Sequence, residues 1–291
     1  MDIRFLESLL AAVDTGSIAG AARLQGLTAA AVSQRIKVLE ADLGCLLLVR
    51  GAHSARPTAE CLQMLPAAKE LVQNAKRLPS YLQLDGLSGP YRLGVISTAL
   101  LDFVPEIIRE FKMRAPKVDL NIRPGPSESL YRDLTRGDLD GAITVLPPFN
   151  NPKDVRVSEL VQQPFCHIRP TDERCPDQDQ GALPWIIYDR TSWGGRIVSA
   201  LIEKTTDSQS ILCELDALET IAAMVEQGLG RAIIPVWQGL RNQHPELEII
   251  PLSDASIDGR TIVFLDRYSA GVSQISKLVI DVLKSATQSD C

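Results

Sequence analysis

Cysteine, histidine and long apolar runs are all scarce in this chain, and each scarcity excludes a class of protein. The six cysteines are scattered, with no C-x-x-C pair, so neither a disulfide framework nor a zinc site is expected. The three histidines, His53, His167 and His244, stand at no metal-ligand spacing. No apolar stretch is long enough to span a bilayer. The opening MDIRFLESLL carries Asp2 and Glu7 and lacks the basic-then-apolar order of a secretion signal. A cytoplasmic chain is expected, with no metal, no cofactor and no membrane partner. Excess positive charge is missing too. A net charge of -6 argues against a general nucleic-acid coat. It leaves room for a local DNA-binding module, because phosphate contacts need positive charge only where the module meets the duplex. Residues 1–62 hold six Lys/Arg and six Asp/Glu, with the basic residues placed late at Arg23, Arg35, Lys37, Arg50 and Arg56.

Enzyme signatures are equally absent. There is no Walker sequence and no G-x-S-x-G elbow. Gly228-Leu229-Gly230 follows a helical stretch and precedes a strand, the reverse of the dinucleotide-binding order, and reads as a turn. Asp138 and Asp140 read as turn residues at a strand entry. No enzyme is expected.

What is present begins at Ser17–Glu40. Arg4 to Val13 repeats its apolar residues at helical spacing and predicts a first helix. Ser17 caps a second, with Ile18, Ala21, Ala22 and Leu24 expected on its buried side. Gly26 turns the chain. Thr28 caps a third helix, whose Val32, Ile36, Leu39 and Leu43 fall on one apolar face. Its other side, with Ala30, Ser33, Gln34 and Lys37, is small and polar near its start, as a helix entering a major groove requires. Leu46–Arg50 and Arg56–Thr58 flank a loop that reads as a wing. From Ala59 to about Leu84 a long helix places Leu65, Ala68, Val72, Ala75 and Leu82 at coiled-coil-like spacing, a seam for a second copy. Pro66 is expected to kink it and Pro79 to loosen its end. Asp85–Pro90 reads as a linker. Beyond it, strands alternate with helices in two sets, which predicts two α/β halves with parallel sheets.

Phe5, Gly16-Ser17, Ala21-Ala22, Leu24, Ala31-Val32-Ser33, Ile36, Leu39-Glu40, Leu43-Gly44, Arg50 and Pro57-Thr58 together resemble the LysR-type transcriptional regulators. Ala31–Lys37 with Leu47–Arg50 looks most like the arginine- and lysine-responsive branch. Gly137–Ile143 and Val225–Pro235 extend the resemblance into the α/β region. The chain departs from the family at Ala29-Ala30, where a polar pair is usual, and at Cys61, where Gly is frequent. The resemblance implies an N-terminal all-α winged helix-turn-helix at 1–58 and a dimerising linker helix at 59–89. It also implies an α/β effector domain of two Rossmann-like, periplasmic-binding-protein-like lobes. Lobe 1 is expected at 90–162 and 266–291, and lobe 2 at 163–265. The implied partners are double-stranded promoter DNA, a small organic acid or amino-acid effector, and further copies of the chain in a homodimer or homotetramer.

Site residues follow from position. Thr28, Ala30, Ser33, Gln34, Arg35, Lys37, Arg50 and Arg56 are expected to face DNA, with Arg35 at the flank and closest to a phosphate. Ser97, Thr98, Ser127, Thr144, Ser192 and Asp216 sit at or beyond strand ends, where hydroxyls and helix N-termini can hold an anion. Thr98 and Asp216 also suit helix capping, and Asp216 favours a ligand that carries an amine. Trp193 and Phe149 either line the cleft or pack. Two rivals remain open: a thiol sensor using Cys166 and Cys175, and an α/β solute-binding module or enzyme with an incidental helical domain.

Overall fold

The computed structural model describes residues 2–51, 54–81, 86–171, 183–205, 211–252, 259–267 and 274–288. The chain forms two compact units that divide after Leu84.

The first unit starts with α1, Ile3–Thr15, whose Leu6, Leu9 and Ala12 are buried. Helix α2, Ile18–Gln25, is capped by Ser17, whose side chain accepts from Gly20 N at 2.9 Å. Gly26, at φ 63°, closes it in the left-handed region that glycine tolerates. Helix α3, Ala29–Leu43, is capped by Thr28. Val32, Ile36 and Leu39 are fully buried as the 3.6-residue period requires. Leu24 is not on the buried side: it is 70% exposed. Ala21 and Ala22 make that side instead, and their small size lets the helices approach closely. Strands β1, Leu48–Arg50, and β2, Ala55–Pro57, pair antiparallel as the wing. The buried carboxylate of Glu40 accepts from Leu47 N (2.9 Å) and Leu48 N (3.2 Å), fixing the wing's root to α3.

Helix α4, Ala59–Tyr81, continues through both Pro66 and Pro79. Its expected seam is partly taken within the unit. Ala68 and Val72 lie in the same buried cluster as Leu6 and Leu9, with Leu65 packed beside them. The period predicted an apolar face correctly, but that face covers α1. Leu62, Leu71 and Leu78 are the exposed leucines of α4. Leu82, the last expected seam residue, lies outside the described residues.

The second unit contains, in chain order, β3 (Ser88–Val95), α5 (Ser97–Arg114), β4 (Lys117–Pro124), α6 (Ser127–Thr135), β5 (Gly141–Val145) and β6 (Val155–Gln163). Then come β7 (Phe165–Pro170), β8 (Trp185–Tyr188), α7 (Trp193–Thr205), β9 (Ile211–Leu215), α8 (Leu218–Glu226), β10 (Ala232–Pro235), α9 (Leu240–Gln243), β11 (Leu247–Pro251), β12 (Arg260–Arg267) and α10 (Gln274–Gln288). Lobe 1 is built on a five-stranded sheet of order β4-β3-β5-β12-β6. Its core joins Leu93, Val95, Ile143 and Phe264 of the sheet to Phe103 and Ile107 of α5 and Val279 and Leu283 of α10. Lobe 2 holds a three-stranded sheet, β10-β7-β11, and the parallel pair β8-β9, joined by a bridge between Trp185 and Arg231. Ile168, Ile186, Ile221 and Trp237 lie in its core.

Three expectations change. The sheets are mixed, because β12 runs antiparallel to β5 and β6, and β7 antiparallel to β10 and β11. The return to lobe 1 comes before residue 266: all of β12 belongs to the lobe 1 sheet, so 260–265 is not lobe 2. Strand β3 starts inside the expected linker, with Ser88, Gly89 and Pro90 paired to Lys117–Asp119. The outgoing β6 and the returning β12 lie side by side, and their last pair is Gln163 with Arg260. Gly259 precedes it at φ 95°, where a Cβ would strike the Gln163 carbonyl. Among the described residues no helix is long and apolar enough to cross a membrane.

Candidate DNA-binding face and effector cleft

On α3, Ala30, Gln34 and Lys37 are exposed and Ser33 is half-buried. They occupy i, i+4, i+7 and i+3 along one side, opposite Val32, Ile36 and Leu39. The face is polar because the apolar positions are spent on the core. Thr28 works as the N-cap, its hydroxyl accepting from Ala31 N at 3.2 Å. Arg35 is half-buried and donates to Ser8 Oγ of α1 at 3.3 Å, so part of its guanidinium is committed within the unit. Arg56 is exposed on β2. The Arg50 side chain lies outside the described residues.

The second site is a cleft of ≈ 500 Å³ between the two lobes of the second unit. Ser97, Thr98 and Ser127 come from lobe 1, and Ser192 and Asp216 from lobe 2; all five line it. Thr144 does not. It is fully buried on β5, and its hydroxyl has no hydrogen-bond partner. A strand residue pointing into the sheet's packed face cannot reach a cleft at the strand's end.

The hydroxyls differ in role. Ser97 is exposed at the start of α5, whose N-cap, Ile96, supplies no side-chain hydrogen bond. The first turn of α5 thus has no side-chain cap, and Ile96, Ser97 and Thr98 at its start line the cleft. Thr98 is not the cap: it is 1% exposed and its Oγ1 accepts from Arg260 Nη2 at 2.8 Å. Ser127 Oγ accepts from Val145 N at 3.1 Å and pins α6 to β5. Ser192 caps α7: its Oγ accepts from Gly195 N (3.1 Å) and donates to the Asp189 carbonyl (2.8 Å). Asp216 is not a cap either. The N-cap of α8 is Ala217, again without a side-chain bond. Burial pushes the Asp216 carboxyl above its usual range, against the pull of the neighbouring Ser192 side chain and the charge of Arg260.

The sequence reading missed Arg260. It is 2% exposed, and it lines the cleft. Its Nε donates to Gln163 Oε1 (2.9 Å), Nη1 to Tyr188 Oη (3.1 Å) and Nη2 to Thr98 Oγ1 (2.8 Å). An arginine at the head of a β-branched strand reads as a solvent-facing strand start, and nothing local marks it otherwise. Trp193 joins the wall. Its ring meets Tyr131 (5.7 Å) and Phe149 (5.5 Å) edge-on, and those two rings meet each other at 5.2 Å. Both aromatic alternatives thus hold for Trp193, which lines and packs, while Phe149 packs at the rim.

The thiol alternative finds no support at Cys166. It is 1% exposed on β7 and donates to the Ile234 carbonyl at 3.4 Å. Burial pushes its thiol up to about 12, the reverse of what a reactive thiolate needs. Cys175 lies outside the described residues. Among the described residues no group of three or more His, Cys, Asp or Glu can hold a metal ion.

A winged helix-turn-helix joined to a two-lobed unit with an open cleft defines a DNA-binding regulator that answers to a small molecule. The comparisons agree. Residues 3–62 match the model for bacterial regulatory helix-turn-helix proteins of the lysR family, and residues 84–288 match that for the LysR substrate binding domain. The chain belongs to the LysR family of transcriptional regulators. It is 28% identical over 247 residues to the probable HTH-type transcriptional regulator LrrA of Synechococcus elongatus, covering 81% of each. Its fold is similar to that of a full-length OxyR variant from Pseudomonas aeruginosa, with a TM-score of 0.70 and 22% identity over 99% of this chain and 95% of that one. It is similar also to full-length LysG from Corynebacterium glutamicum with bound effector Arg, with a TM-score of 0.64 and 21% identity over 99% of each.

Proposed function

We propose that this regulator works in the cytoplasm, without catalysis, as a homodimer or homotetramer. A small organic acid or amino acid binds between its lobes and changes its hold on promoter DNA. The observation that carries this is the start of α5, an uncapped first turn that lines the cleft with the exposed Ser97. A helix N-terminus in that state favours a carboxylate. Ser127, Ser192 and Asp216 complete the polar wall, and Thr98 acts through Arg260. The resemblance of Ala31–Lys37 to the arginine- and lysine-responsive branch, and the likeness in fold to LysG with its bound Arg, favour an amino acid. The DNA face is assigned to Thr28, Ala30, Ser33, Gln34, Lys37 and Arg56, with Arg50 and Arg35 on phosphates. A ligand shifts DNA affinity to the extent that it binds two arrangements of the assembly unequally.

Calorimetry with amino acids and organic acids on wild type and Ser97→Ala tests the cleft. Loss of a hydroxyl bond to a charged ligand group should weaken binding by about 1–3 kcal/mol. The same ligand should alter the footprint on the chain's own promoter. A ligand that binds Ser97→Ala as tightly as wild type removes Ser97 from the site. A promoter footprint indifferent to every bound compound removes the control mechanism.

A further inference from the structure

Arg260 is a buried cation whose three bonded partners, Gln163, Tyr188 and Thr98, are all neutral. Among the described residues it forms no ion pair, and the charge of Arg260 reaches Asp216 only from beyond ion-pair distance. Burying a charge without a counter-charge is costly. The guanidinium has five N–H groups and these bonds use three of them. The remaining two belong to Nη1 and Nη2, on a side chain that lines the cleft. Asp216 lines the same cavity, a carboxyl whose ionised form burial disfavours. The cavity thus holds one cation and three acids: Asp216, Asp189, whose Oδ1 accepts from Thr191 N and Oγ1, and the exposed Glu128. The uncapped start of α5 reinforces the cationic pole, and nothing cationic besides Arg260 lines the cavity.

Position adds a second consequence. Arg260 and Gln163 are the last pair of β6 and β12, where the chain passes out of lobe 1 and returns. Thr98 belongs to lobe 1, and Tyr188 to lobe 2. One guanidinium therefore touches both lobes and the crossing point between them.

We propose that Arg260 is the carboxylate anchor of the cleft and Asp216 its ammonium counterpart, so that the ligand class is a zwitterionic amino acid held at the crossing between the lobes. This rests on the cleft reading above and narrows it. A dicarboxylate would set one charge against Asp216, and an amine without a carboxylate would face Arg260. An amino acid sets its carboxylate on the one cation, Arg260, and its ammonium on the acidic side of the cavity.

The test uses the full chain, the twenty proteinogenic amino acids, and for each the decarboxylated amine and the deaminated acid, read by calorimetry and thermal shift. At least one amino acid should bind wild type, and removing either group should cost tenfold or more. Arg260→Gln should bind the amino acid and its decarboxylated amine about equally weakly, because the carboxylate no longer has its anchor. Asp216→Asn should likewise lose the distinction between the amino acid and its deaminated acid. Arg260→Lys should restore part of the carboxylate preference. A merely structural arginine would instead weaken all three compounds in proportion. That pattern, or a folded Arg260→Gln variant that binds like wild type, overturns the proposal. Should Arg260→Gln fail to fold, wild type still decides: analogues lacking either group that bind as tightly as the parent overturn it. A deaminated acid that binds when no amino acid does also overturns it, and leaves the cleft reading standing. Binding of no compound at all defeats the cleft reading itself.

Discussion

Val72 lies on the inner face of α4, 5% exposed, in one buried cluster with Leu6, Leu9 and Ala12 of α1. Aspartate there would forfeit the burial of a valine side chain, about 2 kcal/mol. It would also place a carboxylate among alkyl groups with no partner, at several kcal/mol more. Together these approach the whole stability of a small domain, about 5–15 kcal/mol. The expected result of Val72→Asp is an unfolded first unit beside a folded second one. Leu71 is the contrast: one residue away and 46% exposed, it contributes little to its own unit. Leu71→Asp should leave folding within about 0.5 kcal/mol of wild type and weaken assembly, because it charges the apolar face that α4 leaves open. Hydrogen exchange across α1 and α3, paired with sedimentation, separates the two outcomes. Val72→Asp should lose protection in both helices. Leu71→Asp should keep it and sediment as a smaller species. If Val72→Asp keeps full protection and only loses mass, Leu65, Ala68, Val72 and Ala75 form an intermolecular seam and the packing on α1 is wrong.

Three further outcomes follow from single contacts. Arg35→Ala should weaken binding to all DNA sequences alike and flatten the salt dependence by roughly one unit; gel-shift titration across salt decides it, and an unchanged slope confines Arg35 to its bond with Ser8. Glu40→Ala strips the acceptor from two backbone N–H groups at the wing's root, and a buried orphan N–H costs about 1–3 kcal/mol; urea unfolding should show the loss, and stability equal to wild type would mean that water replaces the carboxylate. Burial pushes the Asp102 carboxyl from 3.8 to about 6, although it accepts backbone N–H groups from Gln238 and Gly239. A raised carboxyl binds more protons folded than unfolded, so stability should fall as pH rises from about 4 to about 6 and level off above. Melting curves of Asp102→Asn across that window should lose this slope, and an unchanged slope would assign it to another group.

Periodicity and capping chemistry made the first unit readable. Ser17 and Thr28 announce the helices they cap, and Val32, Ile36 and Leu39 point where their spacing says. Spacing shows that a face is apolar without naming what covers it, which is why the inner face of α4 was assigned to a second copy instead of α1. In the second unit, the alternation of strands with helices was legible, as in β3, α5, β4, α6 and β5. Strand β6 was not foreseen, because it is an edge strand paired only to β12, and its VRVSELVQQ shows no clean alternation. The cleft's hydroxyls were found from strand ends, with the exception of Thr144, one residue too deep in β5. Arg260 was not foreseen, since its partners are 72, 97 and 162 residues away and only the folded sheet brings them together.

The three tryptophans, Trp185, Trp193 and Trp237, all belong to the second lobe, and all are buried. Their surroundings are not alike. Trp185 lies beneath the Arg231 guanidinium, 4.4 Å from its ring centre, and Trp237 is enclosed by its own lobe's core. Trp193 alone inserts its ring among first-lobe residues, against Tyr131 and Phe149. Light emitted by the other two indoles is a constant background set within one body. Emission from Trp193 registers the separation of the lobes, shifting to longer wavelength as water replaces the two rings. The chain thus carries an optical gauge of its cleft in a single indole, readable without a label.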